Sequence, residues 1–323
     1  MFKNKYLQYT VAMALLPLAA TFASAQTFPA KSVRIIVPYA PAGGTDIITR
    51  SLAQKLSEST GQQFIVENRP GANGIIGTDI VAKSAPDGYN LIMTTNALTI
   101  NQWLYNKIPF HAERDLAPIT MAGTGYNVLA VHNSLPAKNV RELIALAKAR
   151  PGQLVMSASG AGQPSHLAGE LLKQMAKIDL LIVQYKGTGA SLSDLAGGHV
   201  MITFSSLPGV QPLIQSGKLR ALAVSGMKPL PSLPGVPTIG ETLPGFEVAI
   251  WYGLLGAART PRDIIAKLHT EIAKALAGDD IKQRLTAQGY EPGGITPEQF
   301  AEVIKSDLAR WQKVIRDGNI RAD

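Results

Sequence analysis

Apolar and polar positions along the chain switch between two periods, and the switches predict short strands followed by helices. Val33-Arg34-Ile35-Ile36-Val37 is mostly apolar, as a strand buried inside a sheet is. A tight turn at Pro41-Ala42-Gly43-Gly44 follows. Ile47, Ile48, Leu52 and Leu56 then share one face of a helix that Thr45 or Asp46 caps and that Gly61 stops after about Ser59. Residues 64–67 predict a second strand. A glycine-rich turn at Pro70-Gly71-Ala72-Asn73-Gly74, a helix over 76–82 and a strand over 90–94 come next.

The alternation starts again near residue 126. Strands are predicted at 128–131, 154–157, 181–183, 201–204 and 220–224. A helix over 140–149 carries Leu143, Ile144 and Leu146, and a second helix, capped by Ser165, carries Leu167, Leu171, Leu172 and Met175. Residues 229–245 hold too many prolines for regular structure and predict a connector. A strand at 248–255 and helices at 264–276, 280–288 and 297–316 complete the chain. Strands alternating with helices predict an α/β fold. The two sets predict two lobes, one at about 26–124 plus 246–323 and the other at 125–245.

Composition adds limits. The 323 residues are 46% hydrophobic and 17% charged, which suits a globular chain with a real core. Lys3 and Lys5 precede an apolar run from Val11 to Ala20, and Ala23-Ser24-Ala25 predicts cleavage before Gln26, so residues 1–25 read as a secretory signal peptide. The run is shorter than the roughly 20 residues of a membrane-spanning helix. The chain has no cysteine, which rules out disulfides, thiolate metal sites and a cysteine nucleophile. Removal of Lys3 and Lys5 lowers the formal charge from +8 to +6. The basic residues form no dense run interleaved with aromatics, so the charge favours anionic solutes over nucleic acid.

Two turns carry the candidate chemistry, at 41–46 and 157–166. Each follows an apolar strand, contains glycine and opens a helix. A helix N-terminus presents unpaired N–H groups and a partial positive charge, and glycine lets a ligand approach the backbone. Two such turns facing each other can hold one carboxylate without a basic side chain. Each is also readable as an ordinary capped strand-to-helix turn. Enzyme signatures are weak: the chain has neither a phosphate-binding Gly-x-x-x-x-Gly-Lys loop nor a Gly-x-Ser-x-Gly elbow. His166 and Glu170 stand one helical turn apart, but no third metal ligand accompanies them, and no cofactor is expected.

An ordered set of motifs resembles the Bug family, the receptors of tripartite tricarboxylate transporters. The set includes Val37-Pro38-Tyr39-Ala40-Pro41-Ala42-Gly43-Gly44-Thr45-Asp46, Val66-Glu67-Asn68-Arg69-Pro70-Gly71-Ala72, Pro86-Asp87-Gly88-Tyr89 and Ser159-Gly160-Ala161-Gly162 with His166-Leu167. It continues with Tyr185-Lys186-Gly187, Asp194-Leu195-Ala196-Gly197-Gly198, Pro234-Gly235-Val236-Pro237-Thr238 and Trp251-Tyr252-Gly253. The resemblance implies a type II periplasmic-binding-protein (Venus-flytrap) fold, with two lobes, a hinge and a central cleft. It implies that Ala42, Gly43 and Thr45 in the first loop, and Ser159, Gly160, Gly162 and Ser165 in the second, hold a ligand carboxylate. Thr94, Thr95 and Asn96 are expected to line the cleft. Tyr39 is expected to supply a wall or a hydroxyl donor, and Ser205 to reach the ligand's far end. Many family members carry an acidic residue after the Gly-Gly pair. Here residues 199–206 have none, so a ligand ammonium lacks that partner.

The expectation is therefore a periplasmic, monomeric solute-binding receptor. It takes a small aliphatic or aromatic carboxylate and hands it to the membrane permease of a tripartite transporter. A ligand sensor for a signalling partner and an exported hydrolase are the alternatives; no catalytic residues are assigned.

Overall fold

The computed structural model describes residues 28–41 and 43–321. The predicted leader and Ala42 lie outside the described residues. Strand β1 (Val33–Val37) leads into helix α1 (Gly44–Thr60) and strand β2 (Phe64–Asn68). A single 3-10 turn precedes α2 (Ile75–Ala82), β3 (Asn90–Thr95) and α3 (Ala97–Leu104). The long strand β4 (Leu116–His132) comes next. Then come α4 (Val140–Ala149), β5 (Val155–Ala158), α5 (Pro164–Ala176), β6 (Leu181–Gln184), α6 (Thr188–Ala196), β7 (Ile202–Ser206), α7 (Leu207–Gln215) and β8 (Leu219–Val224). The chain ends with β9 (Ala249–Ala257), α8 (Arg262–Ala277), α9 (Asp279–Ala287), β10 (Tyr290–Pro292) and α10 (Pro297–Asp317).

The strands run in the order β2-β1-β3-β9-β4-β7-β5-β6, with β8 and β10 also paired to β4. β1, β2 and β3 are parallel, and β9 runs antiparallel to β3 and β4. β5 is parallel to β6 and β7. Strand β4 belongs to both halves: it pairs with β9 through Tyr126 and with β7 from Asn127 onward. Each half has an apolar cluster. Val33, Ile35, Ile48, Leu52 and Leu254 anchor the first, and Leu129, Met156, Leu167, Ile202 and Phe204 anchor the second. This is the two-lobed α/β architecture expected from the sequence.

Three helices, one short strand and half of a long one depart from the periodicity reading. Helices α3, α6 and α7, strand β10 and the segment 116–126 of β4 had not been expected. Helix α7 contains Pro208 and Pro212, a residue type that disfavours helix interiors, yet Pro208 sits in the first turn, where its missing N–H has no intrahelical partner in any case. In β4, Pro118 coincides with a register shift against β9, as proline in a sheet requires.

The C-terminal helix α10 crosses between the halves. Phe300, Ile304 and Leu308 pack with Ile36 and Trp251 of the first half, whereas Trp311 and Ile315 join the cluster of the second half. At the crossing, one Asp307 carboxylate oxygen accepts hydrogen bonds from Thr99 Oγ1 and Trp251 Nε1, both at 2.9 Å. Burial pushes the Asp307 carboxyl above its ordinary value, and these two donors offset part of that rise. Asp307→Ala leaves the buried Trp251 N–H without a partner, while Thr99 Oγ1 keeps the Asn96 carbonyl at 2.8 Å, and is expected to cost about 1–3 kcal/mol. Urea denaturation measures this, and an unchanged midpoint refutes the anchoring role.

Candidate functional site

The first glycine loop runs off the end of β1. Gly43, in extended conformation, is the N-cap of α1 and supplies no side-chain cap, so neither Thr45 nor Asp46 caps the helix as expected. Both lie in its first turn, buried. The Asp46 carboxylate turns to the flank, where Arg50 Nε donates to it at 3.0 Å and Asn68 Nδ2 at 3.0 Å. That ion pair compensates the acidic charge nearest the helix N-terminus and leaves the loop amides as the local positive pole.

Gly44 is backed by two tyrosines that the sequence reading missed. A Cβ on Gly44 would stand 3.1 Å from the Tyr252 hydroxyl and within contact range of Tyr290. The two rings meet edge to face at 5.3 Å. Burial pushes the Tyr290 phenol up to about 12 despite the neighbouring Tyr252 and Ser206 hydroxyls, and pushes Tyr252 well up too. Both are neutral donors and acceptors at physiological pH. Tyr290 lies some 250 residues from the loop, with no local signal to connect them.

The remaining predicted residues of the first lobe form the floor beside this loop. The Tyr39 hydroxyl shares hydrogen bonds with Thr94 Oγ1 at 3.2 Å and Thr95 Oγ1 at 3.1 Å, which joins the ends of β1 and β3. Burial raises its phenol above the ordinary value of 10.0. Thr95 Oγ1 also accepts from the Ala97 N–H. Asn96 Nδ2 donates to the Ala249 carbonyl at 3.0 Å, and its buried Oδ1 has no partner.

The second loop runs off β5. Its helix α5 is capped by Gln163, not by Ser165, with Pro164 in the first turn. Ser165 ties the loop instead: its Oγ accepts from the Ser159 N–H at 3.1 Å and lies 2.8 Å from Ser159 Oγ. Gly162 takes a left-handed φ of 70°, and its N–H donates to His166 Nδ1 at 3.2 Å. His166 is thus a loop brace. Its Nε2 faces Gln184 at 3.1 Å and Glu170 at 3.8 Å. Because Pro164 lacks an N–H and the His166 N–H already meets the Gln163 carbonyl, the free donors here come mainly from the loop backbone.

Helix α6, also missed, begins beside this loop, where the Gly187 N–H donates to the Ser159 carbonyl at 2.9 Å. Its exposed first turn, Thr188-Gly189, adds another helix N-terminus to the same edge. Ser205 lies deeper. Its buried Oγ has no partner, and a Cβ on Gly209 of α7 would stand 3.2 Å from it. The structure therefore brings Tyr39, Thr94, Thr95 and Asn96 together, and Ser159 with Ser165, while Ser205 sits beneath α7.

Direct contact across the cleft involves other residues. Gln163 Nε2 donates to Asn73 Oδ1 in the glycine turn after β2. Among the described residues, no group of three metal-ligating side chains forms, and no helix is long and apolar enough to cross a membrane.

The sequence profile described as "Tripartite tricarboxylate transporter family receptor" matches residues 48–320. This chain belongs to that receptor family. The receptor is 36% identical over 297 residues to protein BugT of Bordetella pertussis, covering 91% of each chain. Among solved structures it resembles Rpa4515 of R. palustris, crystallised with adipate, at a TM-score of 0.86 and 36% identity over 91% of this chain and 99% of that one. It also resembles MatC of Rhodopseudomonas palustris with bound malate, at a TM-score of 0.82 and 29% identity over 89% of this chain and 100% of that one. The Bug-family resemblance drawn from the motifs is correct.

Two tests follow from the site's geometry. Gly44→Ala drives a methyl into the Tyr252–Tyr290 pair and is expected to cost about 1–3 kcal/mol. Gly43→Ala, whose Cβ would meet only the Ala40 carbonyl at 3.7 Å, is expected to cost under about 1 kcal/mol. Equal costs in chemical denaturation would refute the packing behind Gly44.

Burial, only partly opposed by Glu170 and reinforced by Lys173, holds the His166 imidazole below its ordinary 6.5. The native state therefore resists protonation there. The associated stability is complete above about pH 6.5 and is lost as pH falls from there toward the folded-state value. The denaturation midpoint of the parent is expected to fall over that window, and that of His166→Gln to fall less steeply. Parallel profiles would remove the brace from the account.

Proposed function

We propose that this receptor captures a small organic carboxylate in the cleft between its lobes and delivers it to the membrane permease of a tripartite tricarboxylate transporter. The reading rests chiefly on one observation. Two glycine loops, one in each half, each run from a strand into a helix in a chain whose relatives were solved with adipate and with malate.

The carboxylate docks on the N–H groups of the Gly43–Thr45 loop and on those of Gly160 and Ala161, flanked by the Ser159 and Gly162 N–H groups that Ser165 and His166 already hold, and bridges the two loops. Thr95 and Asn96 flank the first loop, and the α6 N-terminus flanks the second. Tyr39 serves the site by holding Thr94 and Thr95 in place, and Ser205 supports α7 under the ligand's far end. The cycle involves no covalent chemistry: the receptor acts as a monomer in the periplasm after losing its leader, and it is not an enzyme. The lobes comprise about 26–124 plus 246–323 and 125–245, with the end of α10 strapped across them. They turn about Tyr126–Asn127 and the Ser225–Val248 junction, where Ser225 Oγ accepts from the Asn127 N–H at 2.9 Å and donates to the Val248 carbonyl at 2.7 Å. Closure is favoured because the ligand touches more of the closed state than of the open one.

Differential scanning fluorimetry with adipate, malate and aromatic carboxylates tests this. A ligand at one hundred times its Kd adds about 2.7 kcal/mol, a rise of several degrees in Tm. Gly43→Val, whose Cβ meets no atom closer than the Ala40 carbonyl at 3.7 Å, is expected to lower the ligand-free Tm by no more than a few degrees and to lose the rise. A parent indifferent to every carboxylate, or a Gly43→Val variant that responds as the parent does, overturns the proposal.

A further inference from the structure

We infer that Asn73 and Gln163 form a latch that holds the lobes closed and positions the second loop without touching the ligand. The inference rests on the closing motion proposed above.

Asn73 sits in the turn after β2 with φ 52° and ψ 34°, a left-handed conformation that asparagine tolerates better than most residues. Its amide is read on two sides. Asn101, buried in α3, accepts from Asn73 Nδ2 at 2.7 Å, and Asn101 Nδ2 donates to the Asn73 carbonyl at 3.0 Å. That pair of bonds fixes the amide's orientation: Nδ2 must face α3, which turns Oδ1 toward the other lobe. Gln163 Nε2 donates to that Oδ1. Gln163 is the N-cap of α5, yet its side chain makes no capping bond, so it is free for this contact.

The neighbouring residue is shaped for the same approach. A Cβ on Gly162 would lie 2.7 Å from Asn73 Nδ2 and would collide with Leu104 of α3. Only glycine, already required by its φ of 70°, lets the second loop seat on the first lobe. Gly162 and Gln163 continue the loop that carries Ser159 and Gly160, so ligand and latch grip one segment from two sides. Opening the lobes breaks the Gln163–Asn73 bond and hands both amides to water. One net hydrogen bond of this kind supports a closed-to-open ratio roughly two- to tenfold larger.

The absence of cysteine gives a clean labelling background. Lys83→Cys and Lys148→Cys place nitroxides on exposed positions, one per lobe. Distance distributions are recorded by pulsed electron resonance in ligand-free protein and with saturating adipate. Gln163→Ala is expected to reduce the short-distance population relative to the long one by roughly two- to tenfold. It is expected to speed adipate release by a similar factor while leaving the association rate unchanged. Gln163→Lys, which keeps a donor, restores the parent distribution, and Asn73→Gly combined with Gln163→Ala opens the protein no further than Gln163→Ala alone. Superimposable distributions for the parent and Gln163→Ala in both conditions overturn the latch, while movement in the parent keeps the closing motion. A parent pinned at one distance with and without adipate overturns the closing motion, and the latch with it.

Discussion

The architecture hangs on the backbone hydrogen bonds of one strand. Leu116–His132 pairs with β9 and β10 on one side of Tyr126 and with β7 and β8 on the other, so two sheets share a single continuous partner. A strand that changes neighbours midway is rigid along its length but can twist where the pairing changes. The close approach of β10 adds to this constraint. A Cβ on Gly123 would lie 2.9 Å from the Glu291 carbonyl, and one on Gly125 would lie 2.8 Å from the Tyr290 ring. The glycines that bring β10 onto β4 thus also place Tyr290 behind the α1 N-terminus.

The site follows from what that frame leaves unpaired. Both halves put the carboxyl ends of parallel strands at the cleft, and the loops that leave them carry N–H groups that no helix turn satisfies. The two lobes reach this by different means. In the first, a helix N-terminus does the work, with its acidic Asp46 compensated by Arg50 and Asn68. In the second, Pro164 and a bonded His166 N–H silence much of the helix terminus, and Ser165 and His166 instead brace the loop by accepting from its Ser159 and Gly162 N–H groups. Neutral groups dominate around the loops: the tyrosine phenols sit above their ordinary range, and His166 sits below its own. In the proposed binding mode, fixed dipoles of the loop N–H groups, and no basic side chain, select for a negative charge.

Local chemistry made much of this legible in the amino-acid order alone. The strand at 33–37, the stop at Gly61, the helices near the C-terminus and the two glycine loops were readable because period, turn residues and caps act over a few neighbours. The motif set also identified the receptor family. The reading failed where a neighbour distant in sequence decided the outcome. Pro208 and Pro212 argue against α7, yet burial of Leu207 and Val210 against the second sheet holds that helix. Thr45, Asp46 and Ser165 are good capping residues by type, but Gly43 and Gln163 occupy the caps, while Asp46 is bonded to Arg50 and Asn68 and Ser165 to the Ser159 N–H.

The sequence by itself determined the class of fold, the family and the two glycine-bearing turns from strand to helix, since each depends on short-range sterics and turn chemistry. Only the tertiary structure decided that Tyr252 and Tyr290 back Gly44, that α10 straps both halves together, and that Asn73 meets Gln163. Those contacts join residues from about 40 to 250 positions apart. Their energy comes from excluding water between surfaces that meet only once the chain has folded, so no local pattern encodes them.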